Sequence, residues 1–413
     1  MNSLPRCLTA SFLVMCAPCV LADSLTFSRA VEIAEQRSSR LGASQLAIES
    51  ARSAATPAAS LPDPKLIAGV DNFPVSGPDA GQLQRDFMTM QRVGVMQEFP
   101  NSAKRRARAA VAAASVSVAT VAWQISQLSV RRDAALAWID LYYAQRKQEH
   151  LVEWQRENAL FQNVIVAQVS AGRGIAADAL APKQEALQLA DRNDDLNRDV
   201  TRSRAALRVF VDAAADDPLQ GDPPTFPIEA HTLQNHLVHH PELRSFDAES
   251  EKAEAELAEA RSMKHPDWAV EVDYARRAPQ FGNMVSLQFS VDLPLWSASR
   301  QDPLIAAKRD ALARIRNERD AMVRDHQSDL EAQLADYETL TRQISRAQDV
   351  ALPLADQKVA LQMSAYQSGR SDLGAVLAAR RERIEERLRI DDLRRQQALL
   401  AARLHYAYGE DTP

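Results

Sequence analysis

The sequence predicts a mainly α-helical protein with a β-barrel part, made of long coiled-coil helices and four strands per chain. Three observations carry that reading. Two very long stretches contain almost no helix breakers, four short stretches alternate apolar and polar residues, and the two halves of the chain repeat this layout.

The long stretches come first. Between Asn101 and Ala181 there is no proline, and the only glycines are Gly172 and Gly174. A continuous helix from Asn101 to Val169 would run about 100 Å at 1.5 Å per residue. Val121, Ile125, Leu128, Ala135, Ile139 and Tyr142 mark an apolar stripe along it at helical spacing. The second run goes from Pro303, well placed as a first-turn proline, to Gln367, with Pro353 predicted to bend it. Helices of this length must pack side by side as coiled coils.

Each run ends at a related turn. The first is Ser170-Ala171-Gly172-Arg173-Gly174, with Asp178 and Leu180 beyond; the second is Gln367-Ser368-Gly369-Arg370-Ser371-Asp372-Leu373, with Leu377 beyond. Glycine suits the left-handed closure of a helix, and Ser371 or Asp372 can cap the next one. Returning helices run to about Val211 and Tyr408, the latter packing through Leu373, Leu377, Ile384 and Leu388. Each half opens with a shorter helical stretch, Ser28 to about Thr56 and about Pro241 to Lys264.

The strands lie between these helices. In the second half Trp268, Val270, Val272 and Tyr274 alternate with Ala269, Glu271 and Asp273. After the turn Pro279-Gln280-Phe281-Gly282-Asn283, Val285, Leu287, Phe289, Val291 and Leu293 alternate with Ser286, Gln288, Ser290 and Asp292. The first half matches with Leu66, Ala68 and Val70, then Val93, Val95 and Phe99, where Gln97 breaks the apolar face. Runs of about nine residues suit a membrane span. Four strands cannot close a wide barrel, and open edges cannot sit in lipid. Three copies pooling their strands would give a twelve-stranded wall around a polar lumen. Glu98, Glu271, Asp273, Gln288 and Asp292 would then face the lumen, and Trp268, Val270, Val272, Tyr274, Leu287, Phe289 and Val291 the lipid. No later stretch holds about eighteen consecutive apolar residues, so a transmembrane helix is not expected.

Residues 1–22 read as a secretory signal: Arg6, an apolar run from Leu8 to Leu21, then a cut after Ala22. All three cysteines (Cys7, Cys16, Cys19) fall inside it, so neither disulfides nor thiolate sites are expected in the mature chain. Met15 and Pro18 precede Cys16 and Cys19, where acylation uses small residues, so a lipid anchor is not expected. The organisation read from the sequence is a first repeat over 23–212, a proline-rich mid-body crossover over 213–240 and a second repeat over 241–409. A net charge of −6 argues against nucleic acid as a partner. No phosphate-binding glycine loop, nucleophile elbow or zinc helix motif points to an enzyme or a cofactor. His231, His236, His239 and His240 lie close enough in sequence to invite a metal site, but one run rarely closes such a site without ligands from elsewhere, so they read as a polar helix start before Pro241. Met88, Met90, Met96, Met263 and Met284 read as apolar filler, although methionine also suits soft copper or silver ions.

The duplicated order of helix, strand pair, long helix and returning helix resembles the TolC family of outer-membrane ducts across nearly the whole mature chain. So does the tip pattern from Tyr366 to Leu373. Gln97-Glu98-Phe99-Pro100-Asn101-Ser102-Ala103-Lys104-Arg105-Arg106 is similar to the strand-to-helix junction of the heavy-metal branch (cobalt–zinc–cadmium and copper–silver), with Ala103 where that branch carries glycine. The resemblance implies a TolC-like α/β barrel and a homotrimer in the outer membrane extending into the periplasm. It implies a passive duct with no catalytic residue and no cofactor, working with a periplasmic adaptor (a membrane fusion protein) and an inner-membrane RND-type pump. Gly172, Arg173, Asp178, Gly369, Arg370 and Asp372 would lie at the periplasmic tip, as gate or adaptor contacts. A multidrug or type I secretion duct stays open as an alternative, as does a soluble periplasmic coiled-coil adaptor or scaffold.

Overall fold

The computed structural model describes residues 24–172 and 175–409. The signal segment, its cut site, the three cysteines and Arg173 lie outside the described residues.

A two-residue strand β1 (Leu25–Thr26) leads into α1 (Phe27–Arg37) and α2 (Ser39–Ala55). The sequence suggests one helix here, but Ser38 leaves helical dihedrals (φ −66°, ψ 108°) and its hydroxyl accepts from the Leu41 amide at 3.3 Å. Ser38 therefore closes one helix and caps the next. Strands β2 (Lys65–Asp71) and β3 (Met90–Phe99) follow, then α3 (Ser102–Ser170) and the returning α4 (Ala181–Val211). The crossover holds only short elements, β4 (Leu219–Gln220) and α5 (Ala230–His236). The order then recurs: α6 (Pro241–Ser262), β5 (Trp268–Arg276), β6 (Met284–Val291), α7 (Gln301–Arg346), α8 (Leu352–Gln367) and α9 (Leu373–Tyr408).

The bend expected at Pro353 takes a defined form. Ala347–Ala351 is a π-helical turn, and Pro353 follows in the first turn of α8. Proline has no N–H and its ring crowds the carbonyl four residues earlier, and a wider turn relieves both.

The chain's core gathers around the middle of α3. Trp138, Ile139 and Leu141 are fully buried with Leu207 and Val211 of α4 and Ala402 of α9. The Trp138 indole donates to the Leu25 carbonyl at 3.2 Å and meets the Phe27 ring edge-on. β1 pairs in parallel with β4, so this core also anchors the crossover. The predicted stripe is part of a helix that is buried almost all round here, and Trp138 was not on it. Closer to the sheet, α3 contains an 18-residue window of mean hydropathy 1.5, apolar and long enough by composition to cross a membrane, of which only 11% is buried within the chain. An unbroken apolar run was absent because Ser115, Ser117 and Thr120 interrupt the alanines and valines.

β2, β3, β5 and β6 form one antiparallel sheet in that order. Asn101 joins it to the helices. Its side chain accepts from the Lys104 amide at 2.8 Å, capping α3, and its Nδ2 donates to the carbonyls of Ser262 and His265 at 3.2 and 3.3 Å. Asp267 accepts from the Asn101 backbone amide at 2.7 Å and pairs with Lys104. The Pro100-Asn101-Ser102-Ala103-Lys104 motif thus ties the first strand-to-helix junction to the helix-to-strand junction of the second half.

Gly94 faces Asp273 across β3 and β5. A Cβ there would lie 1.9 Å from the Asp273 carboxylate and 2.8 Å from the Val272 carbonyl. Gly94→Ala is expected to cost about 1–3 kcal/mol, as overpacking does. A thermal midpoint equal to that of the parent protein would contradict this.

Candidate functional site

The sheet has two chemically opposite faces because its register keeps alternate residues in step. One face carries Leu66, Ala68 and Val70; Val93, Val95 and Phe99; Trp268, Val270, Val272 and Tyr274; and Val285, Leu287, Phe289 and Val291. Most of it is open, with Leu66 76% and Val285 73% exposed. Phe99 and Trp268 stack at its base, ring centroids 4.2 Å apart. Gln97 shares this face, and its amide turns to donate to the Pro62 and Glu98 carbonyls at 2.8 and 2.9 Å.

The opposite face carries Glu98, Glu271, Asp273 and Gln288. Arg92 is its hub, with ion pairs to Asp71, Glu271 and Asp273 at 3.3, 3.2 and 3.4 Å. Asp273 is only 2% exposed, and Glu98 pairs with Lys65. Asp292 falls one residue beyond β6, its amide donating to the Asp267 carbonyl at 2.8 Å. Pro294 follows and could not extend the ladder. Met90, Met96 and Met284 also lie on this polar face. Nothing in the alternation pattern marked Arg92 as the hub, because pairing with three acids requires the cross-strand register.

At the other end of the helices the two turns come together. Gly172 and Gly369 both adopt left-handed dihedrals (φ 69° and 72°). The second turn is a Schellman closure: the Arg370 amide donates to the Ala365 carbonyl at 2.8 Å and the Gly369 amide to the Tyr366 carbonyl at 3.0 Å. Of the two candidate caps for α9 it is Asp372 that accepts, from the Ala375 amide at 2.7 Å, while Ser371 donates to Gln362 at 3.1 Å. Tyr366 donates to Gln168 at 3.3 Å, and Asp178 lies near enough to help burial raise the tyrosine's pKa. Phe161, Ile165, Leu373, Val376 and Leu377 form an apolar knot beneath both turns. Arg370 and Asp372 are exposed and Asp178 is half-buried.

Just behind the tips lies a charge cluster that hydrophobic periodicity had passed over. Glu157 receives Arg380 at 3.0 Å and Arg383 at 2.7 Å, and the Arg380 guanidinium sits 4.8 Å above the Phe161 ring. Burial pushes the Glu157 carboxyl up, but the two arginines hold it below the usual range. Glu185 on α4 is buried, with the Trp154 indole beside it but no well-formed hydrogen bond to either carboxylate oxygen among the described residues. Burial raises its pKa in spite of Arg381 and Arg380.

One group among the described residues has the donors for a metal ion: His240, Glu242 and His326. Burial, with His326 beside it, pulls the His240 imidazole down to about 4. The sequence reading treated His240 as part of a polar helix start. It does stand at that start, as the N-cap of α6, but it is only 9% exposed and has a partner on α7 that could not be seen from sequence.

Glu185 yields a pH-dependent expectation. A carboxyl whose pKa is raised by folding destabilises the native state above that pKa and is neutral in effect below its unfolded value. Glu185→Gln should therefore raise the thermal midpoint at about pH 8 and leave it unchanged at about pH 4. Equal shifts at both values would rule out the buried-charge account.

No protein-family model and no curated protein sequence matches this chain. Its structure is nevertheless similar to several solved ones. The outer membrane protein VceC from Vibrio cholerae aligns with a TM-score of 0.76 at 16% identity, over 93% of this chain and 96% of VceC. CusC, described for transmembrane channel formation, aligns at 0.77 and 14% identity, over 93% and 92% of the two chains. The Campylobacter jejuni CmeC outer membrane channel aligns at 0.71 and 13% identity, over 94% and 87%. The chain therefore has the fold of the TolC-type outer-membrane channels that its sequence resembles.

Proposed function

We propose that three copies of this chain form a passive outer-membrane duct, the channel component of a tripartite efflux system. The observation that carries this is the sheet itself. Its two edges, β2 and β6, are unpaired among the described residues, and its exposed face is mostly apolar. Because four strands alternate in direction, β6 of one copy meets β2 of the next antiparallel, so three copies close a twelve-stranded barrel without a free edge. The Arg92 face then lines the lumen and the Trp268 face meets lipid. The small-residue part of α3 supports the same assembly, as a seam where helices of neighbouring copies approach closely.

In this reading the helices continue the duct through the periplasm, and the tips around Gly172 and Gly369 meet an adaptor and an inner-membrane pump. Arg370, Asp178 and Asp372 are the charges available there to close or dock the pore. The fold similarity to outer-membrane channels supports the location. For cargo we take heavy-metal cations, on the similarity of the Gln97–Arg106 junction to that branch. A deletion strain should gain sensitivity to copper, zinc or cadmium; sensitivity confined to dyes would point to a multidrug duct instead.

The barrel reading makes a sharp contrast between neighbours. Leu287→Arg should cost about 2–4 kcal/mol at mid-membrane depth and block trimer assembly, whereas Gln288→Arg, facing the lumen, should assemble normally. Gel migration of unheated, detergent-extracted protein reads the difference. Recovery of the parent protein as a soluble periplasmic monomer would instead favour an adaptor or scaffold.

A further inference from the structure

We propose that His240, His326 and Glu242 form a binding site for a divalent transition-metal ion of the zinc class, at the mid-body and apart from the sheet and the tips. One ring nitrogen from each imidazole and one carboxylate oxygen lie within 4.8 Å of one another. His326 Nε2 is 3.1 Å from Glu242 Oε2, and the two imidazole centroids are 3.9 Å apart. Two imidazoles and one carboxylate, converging with a position left for water, are a donor set that zinc accepts.

The surroundings fit this role. Leu237, Leu243, Leu330 and Leu404 pack beneath the cluster and fix the elements that bring it together. Tyr408 places its hydroxyl 3.4 Å from His326 Nδ1. With Nε2 on the ion, Nδ1 carries the proton and donates to that hydroxyl, the outer contact that orients a ligating histidine. Glu242 is more than half exposed and opens the site to solvent. One contact must be given up. His240 Nδ1 accepts from the Glu242 amide at 3.3 Å, a long bond. An ion on Nδ1 replaces that bond directly, and an ion on Nε2 moves the ring proton to Nδ1 with the same result. Loading therefore exchanges one weak cap for coordinate bonds that join the start of α6, the middle of α7 and, through Tyr408, the end of α9.

The test uses the full mature protein, purified without a histidine tag, in whichever oligomeric state it adopts, and stripped with EDTA. Titration with ZnCl2 should give one tight ion per chain and raise the thermal midpoint, while MgCl2 does neither. CoCl2 should give the visible spectrum of a four-coordinate ion. His326→Gln should abolish saturable binding, Glu242→Gln should weaken it, and Tyr408→Phe should weaken it about tenfold. His231→Ala, at an exposed histidine of the same stretch, should leave it unchanged. Glu242→Gln lies at the surface, so its effect reads ligation with little risk to folding. Absence of saturable zinc binding by the parent protein, or binding that survives both His326→Gln and Glu242→Gln, overturns the proposal.

Discussion

A β-sheet ends in two rows of backbone N–H and C=O groups that need partners, and among the described residues both rows are open on a sheet with one mostly apolar face. In water the edges could be solvated, but the Leu66, Val285 and Phe289 face would then remain as a large exposed apolar patch. In lipid the patch is at home, but the open edges are not. Closure with strands from other copies, as proposed above, would satisfy both demands. The opposite face fits the same solution. Arg92 offsets part of the negative charge of Asp71, Glu271 and Asp273 across strands, and the remaining charge needs a polar side to face in the proposed barrel.

The sheet would be of little use without a fixed relation to the helices, and Asn101 and Asp267 supply it. Asn101 caps a 69-residue helix and at the same time bonds to the Ser262 carbonyl that ends α6 and to the His265 carbonyl just beyond it. The approach of the helices is thus set where the strand-to-helix crossing of the first half meets the helix-to-strand crossing of the second. This also gives a physical reason for the junction motif. Asparagine has both an acceptor for the cap and two donors for the carbonyls, whereas a serine or threonine hydroxyl has the acceptor but a single donor on a shorter side chain.

Much of this was legible in the sequence, for identifiable reasons. Alternation of period two depends only on one strand's own residues, so the faces of β5 and β6 could be read directly. The turns at Gly172 and Gly369 were legible because left-handed dihedrals select glycine. What the sequence hid was whatever depends on a partner distant along the chain. Arg92 meets Glu271 and Asp273 only through the β3–β5 register, and His240 meets His326 only because α6 packs on α7. The break at Ser38 was missed because serine is tolerated inside helices as well as at caps. The membrane-length window in α3 was missed because serines interrupt it without changing its average character.

That change of character along α3 bears on how such a duct could work. Next to the sheet the helix offers small residues and little burial within its own chain. In the middle it is locked by Trp138 and its neighbours. Towards the tip it carries Glu157, held by Arg380 and Arg383, and beyond it a stretch with no charged residue in which Leu160, Val164 and Val166 are exposed. The tip is nonetheless not loose within one chain. Phe161 and Ile165 of the first hairpin are knotted to Leu373, Val376 and Leu377 of the second, and Tyr366 bonds across to Gln168. Parting the two hairpins would expose that knot to water, while moving them together would not. In the proposed trimer, an opening at the periplasmic end therefore costs least as a movement of each chain's paired hairpins against those of its neighbours, with the knot inside each chain kept closed.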